Sequence, residues 1–174
     1  LLKMGRSYAP GIYHMSYGMV DLPSGKMKSW EGTVVDADDL VQEMIDTAKE
    51  TTYELGKIDG LSDAEAQALF EMLGLGALKY YLLKVDPKKR LLFNPKESID
   101  FQGHTGPFIQ YTHARIVSLL SKASMQGKVK QSQFLKDSIW NESEKKLLLQ
   151  LLDFSHVIHQ AAELYSPAIL AQYV

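Results

Sequence analysis

The 174-residue sequence predicts a mainly α fold, a helical bundle preceded by a small α/β piece. After residue 36, apolar residues recur at helical spacing over most of the chain, and the runs open on N-capping residues. Before residue 36, Gly11, Gly18, Gly25 and Gly32 divide short aromatic and polar stretches that suit turns and brief strands. The length allows one domain or two small ones.

Taken in order, Leu1 to Gly5 reads as the last turn of a helix, and Tyr13 to Val20 as a short strand. A loop from Pro23 to Gly32 follows, then a second extended piece at Thr33-Val34-Val35. Asp36 or Asp38 caps a helix whose apolar face is Ala37, Leu40, Val41, Met44, Ile45, Ala48 and Leu55. The capping box Ser62-x-x-Glu65 starts a second helix that turns Leu69, Met72, Leu73, Leu78 and Leu82 inward. Gly74 and Gly76 mark either a break in it or a close backbone approach. It stops by Asp86, because Pro87 disfavours helix at the residue before it. Arg90 to Phe93 reads as a strand and Pro95 to Phe101 as a short helix. Thr105 caps a third long helix to about Ala123, and residues 124–138 read as a polar connector. Asn141-x-x-Glu144 opens the last long helix, which runs to about Leu164, and Ser166-Pro167 begins another. With no initiator Met and a final helix of about two turns, the chain reads as an internal fragment.

Composition excludes several classes of chemistry. With no cysteine there is no disulfide, thiolate metal site or thiol nucleophile. The sequence carries no signal peptide and no apolar run of the ~18–20 residues that cross a bilayer, so a soluble, cytoplasmic protein without membrane contact is expected. The formal net charge of −2 hides segregation: residues 31–73 hold twelve acids and two bases, and residues 74–136 hold eleven bases and three acids. Such a division fits a basic face for a polyanion, and it fits ordinary solvated helix faces as well.

One loop has catalytic character. Lys26 and Lys28, set among Gly25, Met27, Ser29 and Gly32, suit contact with nucleotide phosphates, and a polar hairpin turn explains the same residues. It is not a P-loop, because Met27 stands where a Mg²⁺-binding hydroxyl is required. His104 with His113, and His156 with His159, lack a third partner, so no metal site is read. No Gly-x-Ser-x-Gly elbow presents a serine nucleophile. Phe101, Phe108 and Tyr111 lie near bases and suit base stacking. Core packing is the preferred reading for Phe108, and Tyr111 stays open.

Four segments in order resemble arginyl-tRNA synthetases of bacterial type: Tyr17-Gly18-Met19-Val20, Gly25 to Gly32, Gly76-Ala77-Leu78-Lys79-Tyr80, and Phe101 to Arg115. The resemblance implies a class I enzyme that uses ATP, with Mg²⁺, to form arginyl-adenylate and then charges the tRNA for arginine. It places the end of a Rossmann-like catalytic domain at 1–35, a stem-contact helical region at 36–101 and a truncated anticodon-binding helical domain at 102–174. Residues 24–32 then correspond to the KMSKS-type loop, with Gly25, Lys26, Met27, Lys28 and Ser29 on ATP and Lys26 and Lys28 stabilising phosphate charge. Trp30 departs from the Arg usual there, and Lys79 stands in the Arg place of the DALR-type segment. Gln102 and His104 depart from a segment usually written E-G-N-T-A-P. Lys79, Gln110, Tyr111 and Arg115 are the expected tRNA-facing residues; for the last three, a structural role is the preferred reading.

The H-I-G-H signature and arginine pocket of such enzymes are not in these 174 residues, so the piece is expected to be inactive alone. The alternative is a non-catalytic helical RNA-binding or interaction module derived from the synthetase.

Overall fold

The computed structural model describes residues 1–21, 23, 36–56, 58, 60–125 and 140–174. The loop residues Gly25, Lys26, Met27, Lys28 and Ser29, the expected strand at Thr33-Val34-Val35 and residues 126–138 of the connector lie outside the described residues.

Helix α1 (Ala37–Glu54) starts at Asp36, whose carboxylate accepts the Asp38 N–H at 3.1 Å; of the two candidate caps, Asp36 is the one used. Helix α2 (Asp63–Leu83) opens on a complete capping box, in which Glu65 accepts from both the backbone and the hydroxyl of Ser62. The two helices pack extensively. Met44 and Ala48 of α1 meet Leu73, Ala77 and Leu78 of α2, and Phe93 and Ile99 close the cluster. Full burial of side chains the size of Met44 and Phe93 contributes about 1.5–3 kcal/mol each.

Gly74 and Gly76 do not break α2, which is continuous through both. They are points of close approach. A β-carbon on Gly74 would stand 2.9 Å from the Met44 carbonyl oxygen, so its absence lets α1 lie directly on α2. Met72 and Leu82 differ from expectation: Met72 is 59% exposed and Leu82 is 37% exposed. The stripe facing α1 is narrower than the full run of apolar residues in α2.

Strand β1 (Val20–Asp21) pairs in parallel with β2 (Leu91–Leu92), Val20 opposite Leu91. The strand expected over Tyr13–Val20 shrinks to this end because its partner is short. Asn94 caps helix α3 (Pro95–Ser98) immediately after Phe93. The Gly18 N–H donates to the Pro87 carbonyl at 2.6 Å, and Arg90 forms an ion pair with Asp21 beside the ladder. Leu1 to Gly5 forms only a 3-10 turn (Leu2–Met4), closed by left-handed Gly5. Helix α3 ends at Ser98, short of the predicted Phe101, and the Asp100 side chain then accepts the Gln102 N–H.

Helix α4 (Gly106–Met125) begins where the Thr105 hydroxyl accepts the Phe108 N–H at 3.2 Å, as the capping reading predicts. It packs on α2. Helix α5 (Glu142–Glu163) opens on the Asn141–Glu144 capping box and packs on α6 (Pro167–Tyr173). Helix α6 returns to α2, where the Tyr80 hydroxyl donates to the Ala171 carbonyl at 2.8 Å. Thus α2 is the spine on which α1, α4 and α6 all rest. On α5, Val157 is buried, whereas Leu147, Leu149, Leu151 and Leu152 are exposed.

Candidate nucleic-acid interface

The interface is built outward from the crossing of α2 and α4. Gly106 opens α4 against the backbone of Gly76, so close that a β-carbon on Gly106 would fall 2.5 Å from the Gly76 carbonyl oxygen. One turn on, the Gln110 side-chain amide donates to the Met72 carbonyl of α2 at 3.1 Å. Gln110 therefore ties α4 to α2, in line with the structural role preferred for it. Its Oε1 is buried without a hydrogen-bond partner among the described residues.

With Gln110 turned to α2, the next residues face outward. Tyr111 is 42% exposed, and the Arg115 guanidinium lies over its ring at 5.7 Å from the centroid, four residues along the same face. Tyr111 stands between two clefts. One, of about 630 Å³, lies between α2 and α4 and is lined by Leu69, Met72, Phe101, Ile109 and His113. The other, of about 530 Å³, runs along α4 past Phe108, Arg115, Ile116 and Lys122. An aromatic ring, a guanidinium over it and a further amine on one helix face are groups of the kind that can stack a base and pair with phosphate.

Phe108 is 42% exposed, so the core-packing reading of that residue does not hold. The turn of α4 that meets α2 is occupied by Gly106 and Pro107, both buried, and Phe108 is rotated off it. Lys79 is exposed on α2 and lines neither cleft, so the structure does not gather it with Tyr111 and Arg115. His156 and His159 are exposed on α5, and no group of three His, Asp or Glu among the described residues is placed to hold a metal ion.

Sequence reasoning missed Lys84. Its ammonium donates to the His104 carbonyl at 3.0 Å and lies 4.4 Å from the centroid of the Tyr81 ring. Burial lowers its pKa, opposed by the nearby Glu97 carboxylate. Lys84 thereby pins the end of α2 to the corner that launches α4. The signal was a lysine just past the helix end, where it balances the negative pole; its contact with residue 104 has no local signature.

The DALR anticodon binding domain family matches residues 109–174, from the second turn of α4 through α6. Arginine–tRNA ligase of Bacteroides thetaiotaomicron is 57% identical over 171 residues, which are 98% of this chain and 29% of that protein. The ligase of Flavobacterium psychrophilum is 53% identical over 174 residues, 100% of this chain and 28% of that protein. The chain thus spans less than a third of the length of these relatives. Among solved structures, Thermus thermophilus arginyl-tRNA synthetase superposes with a TM-score of 0.76 at 32% identity, over 92% of this chain and 25% of that one.

Proposed function

We propose, for a chain that belongs to the arginine–tRNA ligase family as a portion carrying its DALR anticodon binding domain, that it serves a ligase which activates arginine with ATP and transfers it to the tRNA for arginine. The substrates of that whole enzyme are arginine, ATP with Mg²⁺ and the tRNA, and its place is the cytoplasm. Residues 1–35 then close the catalytic domain, 36–101 form the stem-contact region and 102–174 begin the anticodon-binding domain.

The observation that carries this reading is the exposed Tyr111–Arg115 pair on α4, inside the stretch matched to an anticodon-binding family. Tyr111 offers a face for a base, and Arg115, with Lys122 further along the helix, offers charge to phosphate. Gln110 acts behind them by holding α4 on α2. Lys79 supplies charge from α2.

Lys26 and Lys28 are the groups of this chain that would touch ATP, with Gly25, Met27 and Ser29 shaping the approach. Their contribution is electrostatic, since cations fixed near the phosphates stabilise charge that builds up as pyrophosphate leaves. Half of a phosphate clamp does not orient the nucleotide, so the chain alone is inactive in adenylate formation.

The test is binding of the 174-residue chain to arginine tRNA and to an unrelated tRNA at two salt concentrations. Binding that favours the arginine tRNA and weakens with salt supports the reading. No binding, or equal binding to both, removes the role in recognition.

A further inference from the structure

Helix α4, with the corner that leads into it, meets α2 at three places that lie in order along both. The His104 carbonyl receives the Lys84 ammonium at 3.0 Å, Gly106 rests on the Gly76 main chain, and the Gln110 amide reaches the Met72 carbonyl at 3.1 Å. From residue 84 to residue 72 these points span about 18 Å of helix. The middle contact is glycine on glycine, with no side chains to interlock, so by itself it is a pivot. The hydrogen bonds on either side of it fix the direction in which α4 leaves α2.

The Lys84 contact is backed by the core. Its ammonium lies 4.4 Å from the centroid of the Tyr81 ring, which packs edge-on against buried Phe93 at 5.2 Å between centroids and 89° between planes. The Tyr81 hydroxyl donates to the Leu92 carbonyl at 3.1 Å. On the receiving side Gly103 turns the chain with φ of 75°, and the Thr105 hydroxyl donates to the Asp100 carbonyl while it accepts the Phe108 N–H. What Lys84 fixes at His104 therefore passes directly to the cap of α4.

The arm beyond the pivot is long. Arg115 and Lys122 lie about 14 and 24 Å past Gly106 along the helix axis, so a rotation of about 10° moves them by about 2 and 4 Å. A hydrogen-bonded contact with phosphate does not survive a displacement of that size.

We infer that Lys84 is a positioning residue for RNA: by holding the His104 carbonyl it aims α4 and sets where Arg115 and Lys122 meet phosphate. The inference rests on the tRNA-binding reading above.

The sequence has no cysteine, so spin labels at Lys49→Cys on α1 and Leu120→Cys on α4, both exposed, report the direction of α4. The native background and Lys84→Arg, which keeps a donor for the carbonyl, are expected to give one narrow distance. Lys84→Met keeps an apolar stem on the Tyr81 ring, and its distribution should widen by about 4 Å, the swing of Leu120 for about 10° at the pivot. Without labels, Lys84→Met should bind arginine tRNA roughly tenfold more weakly with a salt slope lower by about one, and Lys84→Arg should restore both. In a Lys122→Ala background the effect of Lys84→Met on the slope should vanish, because the contact it misplaces is already gone.

A native-width distance in Lys84→Met overturns the aiming role, as does unchanged tRNA binding by a chain whose α4 has swung. An undiminished slope effect in the Lys122→Ala background makes Lys84 a direct phosphate ligand and overturns it too. If circular dichroism shows that Lys84→Met has lost helix, Lys84→Gln, whose shorter side chain stops short of the carbonyl, takes the same tests. Absence of tRNA binding in every version overturns the functional reading, and the inference with it, even where the label distances follow the expected pattern.

Discussion

Gly106 and Gly76 face one another across the α2–α4 crossing with no room between them for a methyl group. A β-carbon on Gly106 would lie 2.5 Å from the Gly76 oxygen and 3.0 Å from the Ala77 nitrogen, both main-chain atoms that move only with their helix. A β-carbon on Gly76 would instead meet the Gln110 amide, the tip of a flexible side chain.

The two alanine substitutions should therefore differ. Gly106→Ala is expected to destabilise by about 1–3 kcal/mol, as overpacking does. Gly76→Ala should lose less, chiefly the Gln110–Met72 hydrogen bond at about 1 kcal/mol. Urea denaturation followed by circular dichroism checks the order, and equal losses would count against a rigid crossing.

At the start of α2, Glu65 accepts from both the hydroxyl and the N–H of Ser62, which lowers its pKa from the ordinary value of 4.5. A carboxylate with depressed folded pKa contributes stability that is complete above its unfolded pKa and lost as pH falls through the folded one. The urea midpoint should thus drop as pH falls below about 4.5. Ser62→Ala should flatten that dependence and lower the midpoint at neutral pH. A dependence as steep in the variant would assign the acid sensitivity elsewhere.

Tyr80 joins α2 to α6 through its hydroxyl, which donates to the Ala171 carbonyl, and burial raises its pKa from the ordinary 10.0. Tyr80→Phe keeps the ring and removes the bond. A loss of about 1 kcal/mol is expected, with faster amide exchange in Ala168–Tyr173 and little change in α1. Uniform acceleration over all the helices would mean that Tyr80 acts through the core.

Arg115 and Lys79 make separable claims on tRNA. If both neutralise phosphate, Arg115→Ala and Lys79→Ala should each reduce the salt slope of binding by about one. Because Arg115 also covers Tyr111, its loss should weaken affinity more. A Lys79 variant with an unaltered slope would take that residue off the interface, which its position away from both clefts allows.

In a full-length ligase containing this sequence, Lys26→Ala should reduce arginine-dependent pyrophosphate exchange by roughly a hundredfold or more, the scale of losing one transition-state donor. Binding of tRNA should change little. Unaltered exchange would remove Lys26 from the chemistry.

Much of the helical framework was legible because its signals are local. Asp36, Ser62, Thr105 and Asn141 start α1, α2, α4 and α5 through bonds spanning two or three residues, and short-range chemistry writes itself into spacing. Gly74 and Gly76 announced that something unusual occurs in α2, but the difference between a break and a contact depends on α1 and α4, which arrive from elsewhere. For the same reason, periodicity assigned Phe108, Met72 and Leu82 inward. It gives the phase of an apolar face without the width of the neighbour that covers it. Lys84 on the His104 carbonyl had no local signature.

The ladder of β1 and β2 also carries information about time. It is parallel, and its Arg90–Asp21 pair joins residues 69 apart, so it closes only after most of the intervening chain has been made compact. The α1–α2 hairpin, with its short connection and large shared core, needs no such loop. Assembly should therefore begin in the hairpin, and residues 18–21 should zip onto 87–93 last. The same order runs backwards on warming: the strand that leads to Lys26 and Lys28 peels away first while the helices behind it are still folded.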